Sequence, residues 1–256
     1  MLMIRLVNLT KVYRGFKAVD NLNMEVEAGR VFGFLGPNGA GKTTTIRMMA
    51  GVMKPTRGRI LINGLDLTEN PSEIKRRVGF IPDRPFLYEK LTGMEFLRFI
   101  AGLYGLDRGS PAKDRGMYLL ELFELADWRD ELIESYSHGM KQRLVMCAAL
   151  LPAPSVIIVD EPMVGLDPKA ARLVKDIFRK QASSGATVFM STHSLEVAQE
   201  VCEDIAIIQA GRIIARGTAR ELQEQAGVDG NLESVFLKLT QEEEAVHEGA
   251  FSSSYP

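Results

Sequence analysis

Apolar positions along this chain follow two different periods. Short runs rich in β-branched and aromatic residues occur at Val26–Leu35, Arg59–Ile62, Val78–Ile81, Val156–Val159, Thr187–Met190 and Ile205–Gln209. Their length and apolar character predict buried strands, and most are separated by helical patterns. Alternation of that kind predicts an α/β fold with a mainly parallel core sheet. Met94–Gly105, Lys113–Ala126 and Met140–Leu151 instead place apolar residues three and four apart with no strand between them, which predicts an inserted helical subdomain over about residues 92–151. The main domain is expected to run from 1 to 230. Beyond it, Leu232–Leu239 predicts a short helix, and 241–256, acidic and then Ser-rich, is expected to be a disordered tail.

Composition narrows the field. With 256 residues, 46% of them hydrophobic, the chain can bury a full core, and its net charge of −2 offers no basic stripe for nucleic acid. Cys147 and Cys202 have neither metal-ligand spacing nor the look of a disulfide framework, so a reducing cytoplasm is the expected compartment. The N-terminal residues lack a secretory apolar core, and the mature chain is expected to begin at or near Met1. The apolar stretch Leu144–Val159 is short for a membrane span and is broken by Pro152 and Pro154.

The strongest chemical signal is Gly36-Pro37-Asn38-Gly39-Ala40-Gly41-Lys42-Thr43-Thr44. Two glycines flanking four residues, followed by Lys and Thr, let successive backbone N–H groups curl around phosphate oxygens: this is a P-loop. The apolar run Arg30–Leu35 precedes it, and Thr44–Ala50, ended by Gly51, reads as the helix that follows. Phosphate would then sit at a helix N-terminus. Lys42 would reach the β- and γ-phosphates, and the Thr43 hydroxyl would take one position on Mg²⁺.

A second acidic motif completes the chemistry. Val156-Ile157-Ile158-Val159-Asp160-Glu161-Pro162 is an apolar strand ending in adjacent carboxylates, at the edge where ligands meet an open α/β sheet. Asp160 is expected to hold the Mg²⁺ shell and Glu161 to polarise the attacking water.

At this point the chain resembles the ATP-binding cassette family, the ATPase subunits of membrane transporters. Tyr136-Ser137-His138-Gly139-Met140-Lys141-Gln142-Arg143-Leu144 is similar to the family's signature sequence, Gly165-Leu166-Asp167-Pro168 to the loop after its catalytic glutamate, and Ser191-Thr192-His193-Ser194 to its switch-histidine segment. The resemblance implies a P-loop ATPase core with an N-terminal antiparallel β portion and the helical insertion. It implies ATP and Mg²⁺ as cofactors, Tyr13 stacking on adenine and His193 touching the γ-phosphate. Ser137, Gly139 and Asp167 would serve the site of an opposing subunit, either a second copy or a homologous ATPase. A membrane-spanning permease would be the other partner, holding the chain on the cytoplasmic face. The apolar, aromatic loop Pro85-Phe86-Leu87-Tyr88 after Asp83 is expected either to dock that partner or simply to pack against the helices.

The chain also departs from the family. Asp83 follows Val78–Pro82 where most members carry a glutamine; a carboxylate there can bind Mg²⁺ directly but reaches less far toward a water. His138 and Met140 replace a usual glycine and glutamine, while Ser137 and Gly139 remain. His138 and His247 are read as surface residues. With Lys90–Phe96, these substitutions resemble the exporter branch. The alternatives are a soluble ATPase of this fold acting on ribosomes or DNA, and a signalling GTPase. No second cassette or long coiled-coil insertion supports the first, and no Asn-Lys-x-Asp sequence supports the second.

Overall fold

The computed structural model describes residues 1–84, 86–106, 110–228 and 231–240. Strands β1 (Leu2–Tyr13) and β2 (Phe16–Glu27) form a long antiparallel hairpin closed by Arg14 and Gly15, whose φ values of 47° and 91° are those of a two-residue turn matched to strand twist. A core strand, β3 (Val31–Leu35), leads into α1 (Lys42–Met49), and β4 (Arg57–Ile62) then pairs with β1, carrying the short β5 (Leu65–Asp66) on its outer edge. Next come α2 (Pro71–Arg77) and β6 (Val78–Ile81), then three helices without an intervening strand: α3 (Gly93–Tyr104), α4 (Ser110–Leu122) and α5 (His138–Leu150). The chain returns to the sheet with β7 (Val156–Asp160), α6 (Pro168–Ser183), β8 (Thr187–Thr192), α7 (Leu195–Val201), β9 (Asp204–Gln209), β10 (Arg212–Gly217) and α8 (Ala219–Ala226). Residues 232–240 are helical, and the expected tail at 241–256 lies outside the described residues.

The main sheet has the order β10-β9-β3-β8-β7-β6, parallel throughout except for the β9–β10 hairpin at its edge. Every residue of β3, β7 and β8 is buried, as expected of central strands covered on both faces. The predicted run Val26–Leu35 is two strands, not one: Gly29, at φ 73°, turns the chain out of the antiparallel sheet and into the parallel one.

Three apolar clusters divide the interior. One contains Leu97, Phe123 and Tyr136 from the helical block together with Val31, Ile157 and Val188 from the sheet, so the helices share a core with the strands. A second lies between the two sheets, where Phe32 and Phe189 stack at 5.4 Å. The third packs α8 and residues 232–235 against β9 and β10.

Candidate nucleotide site

Parallel pairing brings the distant motifs together. Leu35 of β3 pairs with Thr192 of β8, and Asp160 of β7 pairs with Ser191 of β8. Neighbouring strands lie about 4.8 Å apart, so the loops leaving their carboxyl ends must meet. These loops carry the phosphate-binding run, His193 and Glu161, while Asp83 follows the adjoining β6. The result is a cleft of about 510 Å³. Its floor is Pro37–Gly39 and Gly41–Thr44, one wall holds Asp83, Glu161, Val164 and His193, and the other holds Tyr13, Phe16 and Ala18 of the β1–β2 hairpin.

The loop has little freedom to be anything else. Gly41, the residue before α1, has φ 107°, and no side chain caps the helix, leaving its first N–H groups open to an anion. A Cβ on Gly36 would lie 2.3 Å from the Ile208 carbonyl oxygen, and one on Gly41 would lie 2.4 Å from that of Ala18. Gly39, at φ 82°, faces open space instead. Ala40, which the cleft does not reach, is buried beneath the loop.

Lys42 is the central cation. It is buried, and its Nζ donates to the carbonyl oxygens of Gly36 at 2.6 Å and Pro37 at 3.2 Å. Burial pulls its pKa below the ordinary lysine value, an effect that the charges of Glu161 and Asp160 partly oppose. The Glu161 carboxylate stands 3.9 Å away. A desolvated ammonium facing a cleft gains most from a multiply charged anion.

Glu161 adopts φ 51°, uncommon for a residue with a side chain, and its backbone N–H donates to the Ser191 carbonyl at 3.1 Å. Its carboxylate meets His193 twice: Oε2 lies 2.9 Å from Nδ1 and accepts the His193 backbone N–H at 3.3 Å. Asp160 lies behind this pair, buried, with Oδ1 accepting the Ser191 hydroxyl at 2.5 Å. Tyr13 is half exposed, its hydroxyl donates to Met53 Sδ at 2.8 Å, and the Lys11 ammonium sits 5.3 Å from its ring centre.

Besides Gly36, Ala40 and Asp160, three further expected residues do not line this cleft. Ser137 and Asp167 are exposed and cap α5 and α6 by accepting the N–H groups of Met140 and Ala170 at 3.3 Å and 2.9 Å. The Ala170 N–H holds the Asp167 carboxyl below its ordinary pKa. Gly139 is half-buried beside the Gly165 carbonyl. His138 is exposed, yet its ring covers Gly165 so closely that a Cβ there would lie 2.4 Å from it. His138 therefore ties the two loops together, a contact invisible in the spacing. His247 lies outside the described residues.

Residues missed from the sequence include Phe16, Ala18, Val164 and Ser191. Phe16 pairs with Tyr13 across the hairpin, and the signal for it was the Arg14-Gly15 turn placing two aromatic residues side by side. Ser191 was read only as the start of the switch-histidine segment, and its contact with Asp160 carried no signal, because only strand pairing brings its hydroxyl there.

A phosphate cradle at the carboxyl edge of a parallel sheet, faced by a glutamate and a histidine from neighbouring strand ends, defines the class: a P-loop nucleoside triphosphatase. The model of the ABC transporter family matches residues 19–164. The chain is 41% identical over 219 residues to the daunorubicin/doxorubicin resistance ATP-binding protein DrrA of Streptomyces peucetius, covering 86% of this chain and 66% of that protein. It is 38% identical to the Nod factor export ATP-binding protein I of Cupriavidus metallidurans, over 84% and 71% of the two chains. A solved ATP-binding subunit of an ABC transporter superimposes with a TM-score of 0.87 at 34% identity, covering 93% of this chain and 99% of that one. The chain belongs to the ABC transporter family, as an ATP-binding subunit that hydrolyses ATP.

Proposed function

We propose that the cleft binds Mg·ATP and that its hydrolysis drives a separate membrane-spanning permease working as an exporter. The observation that carries this reading is the convergence of Lys42, Glu161 and His193 on one cleft while Ser137 stays outside it. Tyr13 offers a ring face to the purine, and the backbone N–H groups of the loop other than Pro37, which has none, take the phosphates together with the Lys42 ammonium. Glu161 accepts the proton of the attacking water, and His193, already held to its carboxylate, orients both toward the γ-phosphate.

Among the described residues, no three His, Cys, Asp or Glu side chains converge on a metal position. That suits Mg²⁺, which is held by one or two carboxylates together with substrate phosphates. Thr43, Asp83 and Asp160 supply the hard oxygen donors that would hold it, and when bound it offsets phosphate charge. Ser137 and Asp167, exposed at helix starts, and the half-buried Gly139 would complete the cleft of a second copy or of a homologous subunit. In that arrangement 1–230 is the cassette, with residues 92–151 as its helical subdomain.

The permease reading has its own support. No described helix is long and apolar enough to cross a membrane. An apolar groove of about 640 Å³ opens at Pro82, next in sequence to Asp83, and is lined by Val52, Phe80, Phe86, Phe96, Ile100 and Tyr104 among others. Phe86 is 82% exposed, and Tyr88 bridges it to Phe99 through edge-to-face contacts at 6.2 Å and 5.2 Å. Exposed aromatic residues around a groove fit an inserted apolar segment of the partner. Pro85, expected in the same surface, lies outside the described residues. The exporter direction rests on the relatives, one of which is named for export and another for drug resistance.

The test is to purify the chain from gently solubilised membranes and identify its companions by mass spectrometry. A polytopic membrane protein is expected. Ribosomal or DNA-repair partners without one would overturn the transport reading and leave the ATPase in place.

A further inference from the structure

The two walls that a nucleotide must span are joined by a feature outside the cleft. The purine wall belongs to the β1–β2 hairpin, and the phosphate floor belongs to the loop between β3 and α1. Between them sits the tight turn joining β9 to β10, at Ala210 and Gly211, with φ 47° and 80°. The Gly211 N–H donates to the Ala40 carbonyl in the phosphate loop at 3.0 Å, and the Gly211 carbonyl accepts the Asp20 N–H of β2 at 2.9 Å. A Cβ on Gly211 would lie 3.0 Å from the Ala18 carbonyl oxygen, so hairpin and turn are already in close approach.

A side-chain ion pair fastens this turn. Arg212 donates from both Nε and Nη2 to Asp20 Oδ2, at 3.1 Å and 2.6 Å, while Lys17 Nζ lies 3.0 Å from the other carboxylate oxygen. The Asp20 side chain is 13% exposed but that of Arg212 is 58% exposed, so solvent screens the pair, and its value lies in the fixed geometry of two hydrogen bonds to one carboxylate oxygen. Its carboxyl is held below the ordinary aspartate range, first by the Arg212 hydrogen bond and then by Lys17.

We propose that Asp20 and Arg212 are positioning residues that fix the distance between the purine wall and the phosphate floor. They touch neither part of the nucleotide. Ala18, two residues before Asp20, lines the cleft and buttresses Gly41, so a shift of β2 at Asp20 moves Tyr13 and Phe16 relative to Lys42. A ligand that uses both walls should feel this clamp; a ligand that uses only the floor should not. The inference rests on the purine-stacking reading of Tyr13.

The experiment compares binding of ATP and of inorganic tripolyphosphate to the full chain and its variants. Arg212→Ala is expected to weaken ATP about tenfold and tripolyphosphate less than about twofold, because preorganisation is lost for the two-walled ligand alone. Arg212→Lys, which keeps a cation beside Asp20 without disturbing Lys17, should retain most of the ATP binding. If Arg212→Ala does not fold, Asp20→Asn is judged by the same ratio. Equal losses for both ligands, or no loss for either, overturn the proposal. Tyr13→Ala separates the two readings. If it leaves the ATP preference intact, purine stacking fails and the clamp fails with it. If it removes the preference while Arg212→Ala does not, the clamp alone fails.

Discussion

The phosphate loop and the signature run both place bare N–H groups at the start of a helix, yet they are finished differently. Around α1 the anion position is completed within the chain: no side chain caps the helix, Lys42 is buried facing the cleft, and Glu161 and His193 close the far wall. At α5 the cap is exposed, Ser137 satisfies its own helix by accepting the Met140 N–H, and no part of the run lines the cleft. A helix start that is buried among cations and carboxylates is a site. One that is exposed and merely capped is half of a site at most, and its function depends on what is brought to it.

The largest expected effect tests the completed half. Glu161→Gln keeps the shape and the contact to the His193 N–H but removes the carboxylate proposed as the base, so phosphate release should fall by roughly 10²–10⁴-fold while ATP remains bound. Steady-state turnover set beside nucleotide retention reads this directly. Wild-type turnover in the variant would take Glu161 out of the chemistry.

The incomplete half should respond in the opposite manner. Ser137→Arg places bulk and charge outside the cleft, so the affinity of one chain for ATP should change less than about twofold, while ATP-dependent pairing is lost and hydrolysis falls about a hundredfold. Equilibrium nucleotide binding and light scattering separate the two effects. A large loss of ATP affinity would place Ser137 in the same cleft as Lys42 and remove the distinction between the regions.

The same contrast governs what could be read from residues alone. The phosphate loop is legible because its chemistry is local: glycine spacing, a lysine and a following helix are enough. The parallel core was legible because β3, β7 and β8 each contain a short apolar stretch, Val31–Leu35, Val156–Val159 and Val188–Met190. The 12-residue strands β1 and β2 were not, since bulges between Leu6 and Lys11 break the alternation, and Asn8 and Asn21 sit at positive φ within them. Contacts across long separations left no trace either. Ser191 reaches Asp160, His138 covers Gly165 and Arg212 clamps Asp20 only because the topology brings them together.

Glycines within the loop offer a finer test. Gly41→Ala combines φ 107° with a Cβ 2.4 Å from the Ala18 carbonyl oxygen, against backbone that cannot yield cheaply. Its cost should be about 2–3 kcal/mol of stability. Gly39→Ala meets nothing within 4 Å, so only its φ of 82° counts, and the cost should be about 1–2 kcal/mol. Denaturant titration ranks them. Equal costs would mean that the close approach of β2 does not hold the loop.

The smallest effect concerns how the signature run is held. Tyr136, just before Ser137, is buried; its hydroxyl donates to the Trp128 carbonyl at 2.5 Å, and burial pushes its pKa up to about 12. Gly93, the first residue of α3, makes room for it: a Cβ there would lie 2.4 Å from the Tyr136 hydroxyl but 3.4 Å from the ring carbon that bears it. Tyr136→Phe should cost about 1 kcal/mol, a shift of about 2–4 °C in Tm, by removing one of two hydrogen bonds to the Trp128 carbonyl, which keeps the one from the Glu131 N–H at 3.0 Å. Gly93→Ala should destabilise the wild type, where it strikes the hydroxyl. In the Tyr136→Phe background it should be neutral or stabilising, because alanine is the better helix former. The two changes are then coupled by about 1–2 kcal/mol in a double-mutant cycle. Additivity would show that the hydroxyl and Gly93 do not meet, and that Tyr136 does not set where the Ser137 cap is presented.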